Sequence, residues 1–444
     1  MWTPNRITAT LIVLLLSVCA VQESHAEAGT AREAAPAQVS GDVQPLVLED
    51  LMREVMARNP EILASEARAS ALAFKIPQAR SLPDPMIMFG YQNDGFKKYT
   101  YGKSDNAYWM FSASQMFFFP GKQSLKGEMA ARDAQSQQAT YAHVRLKALE
   151  RVKELFYDLL FTYKYTDIVR ERASLLTRIE DAALARYSSA MGSQQEVLMA
   201  QTEKYMLLER EQMLQQKVQS LEAMLNNAAG RDVNAPLGRP VEPQSVPPSP
   251  SLEDLLETHV EHSPLVKSKE LMVAAAEAKV QMAKREYYPD FTVNASYFKL
   301  GGDFEDMWSL TTTVNIPLYY AKKQRQAVYE AEALLSEARH ELEGTKLMLS
   351  STIRDNYSML RTADKLMALY RDALIPKSVQ DFELALSGYV TGKVEAITVI
   401  SRLKSLLDFE IQYWAQFAER GKAVARIETA TGLTDYAMQG ATKE

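Results

Sequence analysis

Phe291-Thr292-Val293-Asn294-Ala295-Ser296-Tyr297 and, one turn later, Trp308-Ser309-Leu310-Thr311-Thr312-Thr313-Val314-Asn315-Ile316 alternate between mostly apolar and small polar side chains. Successive side chains of a strand point to opposite faces, so this pattern predicts ribbons with one greasy and one wet side. Each segment is about ten residues, the length that crosses a bilayer when tilted. Aromatic residues gather toward the segment ends: Tyr108, Trp109, Phe117, Phe118, Phe119, Trp308, Tyr319 and Tyr320. Such girdles mark the interfaces of transmembrane barrels. A half-buried soluble sheet alternates as well, so the rest of the chain has to decide.

The first half carries a matching pair. Ile87, Phe89 and Tyr91 share one face, and Trp109, Phe111, Ala113 and Phe117 form another, interrupted by Gln115. Much else is duplicated in the same order. Leu48-Glu49-Asp50-Leu51 returns as Leu252-Glu253-Asp254-Leu255, Asn59-Pro60 as Ser263-Pro264, and Pro83-Asp84 as Pro289-Asp290. Phe119-Pro120 returns as Ile316-Pro317, and Tyr187 with Val197-Leu198 as Tyr389 with Val399-Ile400. Between the halves, Pro236 to Pro250 hold six of the 18 prolines, a density that reads as an extended linker. The organisation read from this has a signal peptide over 1–26, a mobile N-terminal tail over 27–47 and a first repeat over 48–235. The linker over 236–250, a second repeat over 251–435 and a C-terminal tail over 436–444 complete it. The strands are expected near 84–119 and 289–318.

Each repeat opens with a helix, expected near 48–80 and 252–287, whose first turn carries Glu49 and Asp50 or Glu253 and Asp254, suited to the positive end of the helix dipole. After the strands comes a long helix, a break and a second long helix. No Gly or Pro stands between Gly127 and Gly192, and Gly344 alone interrupts Pro317 to Pro376. Leu149, Val152, Phe156, Leu159 and Tyr163 recur at alternating spacings of three and four. Leu207, Leu214, Val218, Leu221 and Leu225 continue that rhythm after a first step of seven, and Ile400, Leu403, Leu407, Ile411 and Trp414 nearly do the same. These are coiled-coil seams, which serve a helical bundle and a channel wall equally well.

Composition narrows the function. A chain of 444 residues, 24% charged and 47% hydrophobic, is not disordered, and a formal charge of -6 gives nucleic-acid binding no support. The single Cys excludes a disulfide framework and a Cys-based metal centre, and no cofactor is expected. Arg6 followed by the short apolar run Leu11 to Val18 reads as a secretory leader cleaved after Ser24-His25-Ala26. The alternative is lipid attachment at Cys19, for which Val18 is a poor predecessor. No later run of about 18 apolar residues predicts a membrane helix, yet a membrane barrel stays open because its strands signal weakly. Four strands cannot close a barrel, and an open edge is forbidden in lipid. Strands that span a membrane here must therefore be shared among several copies.

At this point the paired plan resembles the TolC-type outer-membrane factor family, the exit ducts of tripartite efflux pumps and of one-step protein secretion. The matching residues are Leu48-Glu49-Asp50-Leu51 with Asn59-Pro60, Pro83-Asp84-Pro85 before the first strand, and Phe119-Pro120-Gly121 after the second. The turn pair completes the set: Arg186-Tyr187-Ser188-Ser189-Ala190 running to Val197-Leu198, and Gly388-Tyr389-Val390-Thr391-Gly392 running to Val399-Ile400. The resemblance implies a mixed α and β fold. Long coiled-coil hairpins would form a periplasmic α-barrel, and four transmembrane strands per chain would contribute to a trimeric 12-stranded β-barrel. It implies a homotrimer in the outer membrane, surrounded by its lipid and extending into the periplasm. Its partners would be a periplasmic adaptor (membrane fusion) protein and an inner-membrane pump. The short helices and 421–435 would belt the tube. Similarity of the Pro-Asp-Pro stretch to members that serve heavy-metal pumps implies metal cations as substrate. The chain departs from the family at Ala190, where the turn usually has the glycine seen at Gly392; Met191-Gly192 offers another seat for the left-handed residue.

No catalysis is expected, so the candidate residues gate and dock. Asp381 and Glu383 lie eight and six residues before Tyr389, and in a symmetric assembly each makes a ring of carboxylates that favours cations. Asp181 and Glu196 are the corresponding candidates on the other hairpin. A solvated helix face would also carry such acids. The tips Tyr187, Ser188, Ser189, Ala190, Gly192, Tyr389, Thr391 and Gly392 are candidates for adaptor docking, because their small residues permit close approach. Other signals fail. Gly102-Lys103-Ser104 lacks the phosphate-loop glycine, Lys97 standing in its place. His259 and His262, beside Glu257 and Glu261, have a spacing common on polar helix faces. Met86, Met88, Met110 and Met116 read as packing, either lining or lipid-facing, although thioethers are soft ligands. Lys322-Lys323-Gln324-Arg325 reads as a solvated or headgroup-facing helix start. The competing readings are a protein-secretion duct and a periplasmic coiled-coil adaptor, the latter lacking a Gly-rich flanking segment.

Overall fold

The structure is a computed structural model that describes residues 45–243, 251–256, 260 and 262–433. The signal peptide, most of the N-terminal tail, the whole C-terminal tail, part of the linker, and Glu257, His259 and Glu261 lie outside the described residues. In the first repeat, α1 (Leu48–Arg58) and α2 (Pro60–Arg80) precede β1 (Met86–Gln92) and β2 (Tyr108–Phe117). Then come α3 (Lys122–Ser188) and α4 (Gln194–Ala228). In the second, a helical turn (Leu252–Asp254) and α5 (Pro264–Arg285) precede β3 (Asp290–Leu300) and β4 (Met307–Asn315). The chain ends with α6 (Gln324–Leu369), a π-turn (Tyr370–Leu374), α7 (Ile375–Val390) and α8 (Ala396–Thr431).

The opening helix expected over 48–80 is two helices. The Asn59 side chain accepts from the N–H groups of Glu61 and Ile62 at 2.9 and 3.0 Å, and Pro60 takes the first helical position, where its missing N–H is harmless. A first-turn proline also begins α5 at Pro264, there without a side-chain cap from Ser263, so the single helix expected over 252–287 is also corrected. Pro77, by contrast, sits inside α2.

The helix α3 runs 67 residues, about 100 Å at 1.5 Å per residue. It is the spine. Near the sheet it packs between α2 and α5, with α6 beyond α5; toward the far end it packs between α4 and α8, with α7 beyond α8. The seam expectation places Val152, Phe156 and Leu159 in the core, where α1 covers them with Leu51, Met52 and Val55. The crossing of α8 over α3 is close enough that a Cβ on Gly421 would sit 2.3 Å from the Tyr157 ring, so only glycine fits. Around it Lys422 pairs with Asp158 at 2.9 Å and Arg426 with Glu154 at 2.7 Å.

Pro376 does not end the first long helix of the second repeat. Ile375 N–H reaches back to the Tyr370 carbonyl, and this one wide π-turn relieves the clash that proline imposes on the preceding turn. The helix then continues to Val390.

The four strands form one antiparallel sheet in the order β1-β2-β3-β4, leaving β1 and β4 as free edges. Register sets Phe89 opposite Phe111, Phe111 opposite Tyr297, and Tyr297 opposite Trp308, so one face is mostly aromatic and aliphatic, interrupted by Gln115, Lys299 and Thr312. Ile87 is 85% exposed and Trp308 78%. The opposite face carries Ser112 against Ser296 and Asn294 against Thr311, and the two serines are buried within one protomer. At the junction with the helices, Lys122 is fully buried and donates to Asp290 at 3.0 Å and to the Tyr288 carbonyl at 2.9 Å. Asp290 also accepts from Phe119 N–H at 2.8 Å. Among the described residues, no helix is long and apolar enough to cross a membrane.

Candidate functional site: the helical tip

The end of the molecule farthest along the chain from the strands is built from two equivalent turns. After α3, Met191 N–H bonds to the Arg186 carbonyl and Ala190 N–H to the Tyr187 carbonyl, at 2.8 and 3.0 Å. After α7, Lys393 N–H bonds to the Gly388 carbonyl and Gly392 N–H to the Tyr389 carbonyl, at 2.8 and 3.0 Å. Both are Schellman closures, which need a left-handed residue just past the helix. Gly392 supplies it at φ 78°, and Ala190 at φ 57°. The left-handed seat therefore does not move to Gly192. Ala190 is the one described non-glycine residue with positive φ, and its Cβ strains the turn.

Arg186 ties the two turns together. Its guanidinium donates to the Tyr389 carbonyl at 2.6 Å and to the Met191 carbonyl at 3.1 Å, and lies 4.8 Å from the Tyr389 ring centre. The Tyr389 hydroxyl donates to Glu196 at 2.9 Å, and Glu196 lies 3.9 Å from Arg186 Nε. Burial first, and then the Glu196 carboxylate, push the Tyr389 hydroxyl up to about 12. Beneath this knot Ile179, Ala183, Val197, Phe382, Val399 and Ile400 form an apolar core shared by both hairpins.

The sequence-derived candidates separate accordingly. Tyr389 is fully buried and Glu196 is committed to it, so both belong to the knot. Tyr187, at the equivalent position of the first turn, is half exposed. Ser188 and Ser189 donate to the Ala185 carbonyl at 2.9 and 2.8 Å, and Thr391 to the Ser387 carbonyl at 3.1 Å. These hydroxyls finish the helix ends at an exposed surface. Gly192 is close-packed: a Cβ there would lie 3.0 Å from that of Arg186. Asp381 pairs with Arg402 at 3.1 Å on an open face, Glu383 and Asp181 are exposed, and the structure does not bring the three into one cluster within a protomer. The turn motif alone gives Arg186 no role. Its partners are backbone carbonyls, and the one on the other hairpin is 203 residues away.

Further down the wall, Arg172 and Glu410 form a buried pair between α3 and α8, joined at 2.9 Å, and burial outweighs the arginine to raise the Glu410 carboxyl. Among the described residues, no group of His, Cys, Asp and Glu is arranged to hold a metal ion.

Two repeats, a membrane-sized sheet with a greasy outer face and a long helical wall define a channel component. Residues 51–231 and 255–433 match the outer membrane efflux protein family, and the chain belongs to it. The protein is an outer-membrane efflux channel that extends into the periplasm. A relative from Cupriavidus metallidurans, the cobalt-zinc-cadmium resistance protein CzcC, is 22% identical, covering 87% of this chain and 90% of its own. The outer membrane protein VceC of Vibrio cholerae superposes with a TM-score of 0.76 at 17% identity, over 87% of this chain and 96% of that one. The CmeC outer membrane channel of Campylobacter jejuni gives 0.73 at 11%, over 89% and 88%.

Proposed function

We propose that three copies close their sheets into one twelve-stranded barrel and continue it with a helical tube. This homotrimer is the passive exit duct of a tripartite efflux pump. Substrate reaches it from an inner-membrane pump through a periplasmic adaptor protein. The carrying observation is the pair of free edges, β1 and β4, on a sheet whose greasy face is exposed. Lipid offers no hydrogen-bond partner for an open edge, so neighbouring copies must supply it. The helical wall has matching borders: Tyr205 and Met213 are exposed on α4 at one side, Leu347 and Leu384 on α6 and α7 at the other. The repeats 48–235 and 251–435 each contribute one strand pair and one helical hairpin.

The exposed tip residues Tyr187, Ser188, Ser189, Ala190, Thr391 and Gly392 meet the adaptor, with Gly192 behind them, while Tyr389 holds their backbone in place. Asp381 and Glu383 line the constriction, and Asp181 faces it from the other hairpin. The name of the CzcC relative supports metal cations as the substrate class. The assembly is tested by native mass spectrometry of protein extracted from outer membranes. Three copies per particle are expected; a monomer, or a ring of two or four, refutes the proposal.

A further inference from the structure

The register of the sheet sorts its methionines. Met86 faces Ser114, Met88 faces Ser112, and Gly90 faces Met110. Met116 faces Thr292, and Met307 faces Phe298. All five strand methionines thus fall on the face that carries Ser112, Asn294, Ser296 and Thr311, and none falls on the aromatic face. Methionine is apolar, so the lipid-facing side would accept it without penalty, whereas the wet side of a barrel ordinarily carries polar residues. Met86 and Met88 are half or more exposed there, and Met307 nearly half.

Two diagonal pairs result, Met88 with Met110 and Met86 with Met116. Diagonal neighbours on adjacent strands stand about 7–8 Å apart at the backbone, within reach of long side chains. Gly90 gives Met110 room: the Met110 methyl lies 3.4 Å from where a Gly90 Cβ would be. The only carboxylate on this face is Asp290, already bound by Lys122. Hard divalent ions therefore find no free anionic ligand on it.

We propose that the lumen wall carries thioether sites for soft monovalent cations, of the class of Ag⁺ and Cu⁺, formed by Met88 with Met110 and by Met86 with Met116. This rests on the duct reading and narrows its substrate class. Neutral thioethers favour soft monovalent ions over the harder, doubly charged Zn²⁺ or Co²⁺. Two such pairs in series, each weakly binding, let an ion enter and still leave, as conduction requires.

The test uses full-length protein in a Cys19→Ser background, which removes the only thiol. Single-channel currents are recorded in nitrate electrolyte with silver nitrate as probe. Micromolar Ag⁺ should block reversibly, and Met86→Leu/Met88→Leu/Met110→Leu/Met116→Leu, close in volume, should raise the half-blocking concentration about tenfold or more. Equal block of both proteins, or equal block by Zn²⁺, overturns the proposal. Independently, Ag⁺ should shield these four methionines from peroxide oxidation in the detergent-purified parent protein, read by peptide mass spectrometry. Equal oxidation with and without Ag⁺ overturns it too, and needs no variant to fold. A protein that carries no current refutes the duct reading, whereas a conducting protein indifferent to silver refutes only the thioether sites.

Discussion

The knot at the tip makes a sharp prediction at Tyr389→Phe. The substitution keeps the buried ring under Arg186 and deletes one atom, the hydroxyl that donates to Glu196 at 2.9 Å. A hydrogen bond to a charged group contributes about 1.5–3 kcal/mol. The Glu196 side chain is 22% exposed and regains water when released, which argues for the lower end. A loss of about 1.5 kcal/mol multiplies local opening roughly tenfold. Hydrogen exchange of the assembled protein, followed by mass spectrometry, reads this directly, because native amides exchange through local opening. Peptides spanning 183–198 and 385–400 should exchange about tenfold faster, and peptides around Phe156 should not change. Glu196→Gln keeps an acceptor and should have a smaller effect; added to Tyr389→Phe it should add almost nothing. Unchanged tip exchange, or acceleration spread along the whole wall, would refute the reasoning.

Ala190→Gly removes a Cβ from a left-handed residue and should stabilise the first turn by about 1 kcal/mol, slowing exchange in the same peptide. The neutral Tyr389 hydroxyl favours the folded tip, since its folded pKa, about 12, lies above the ordinary value of 10.0. That stability is complete below pH 10 and is lost as pH rises from 10 to about 12, so tip peptides should open selectively across this window, after correction for intrinsic exchange. Lys122→Met strands Asp290 with only the Phe119 N–H and should destabilise the junction by about 3 kcal/mol, lowering the temperature at which assembled protein migrates as monomer. Asp381→Ala with Glu383→Ala should reduce cation preference in single-channel recordings; unchanged selectivity removes them from the constriction.

The strands were legible because their period is two and their faces differ so sharply in chemistry. Trp308, Leu310 and Val314 could be assigned to one side from the sequence. Assigning methionines of different strands to a common side needed the register, which no single strand contains. Asn59-Pro60 and Ser263-Pro264 were seen as repeats but not as helix starts, although an Asn cap before a first-turn proline is a local signal. The continuation past Pro376 was not legible, because proline marks a break and only the π-turn shows how the break is avoided. The turns were placed correctly by Tyr187, Gly388 and Gly392. The role of Arg186 was hidden because backbone carbonyls have no residue type and so leave no pattern.

The two unpaired edges of the sheet also bear on how the protein comes to exist. In the proposed assembly the four-stranded sheet is completed by another molecule, which ties folding to encounter. A solitary chain would expose rows of free N–H and C=O groups beside a greasy surface, a template for wrong pairing. Its apparent stability is then set by chain concentration as much as by its own contacts. Dilution at the membrane should therefore impair the sheet before the helical hairpins, whose cores around Phe156 and Ile179 are largely complete within one copy.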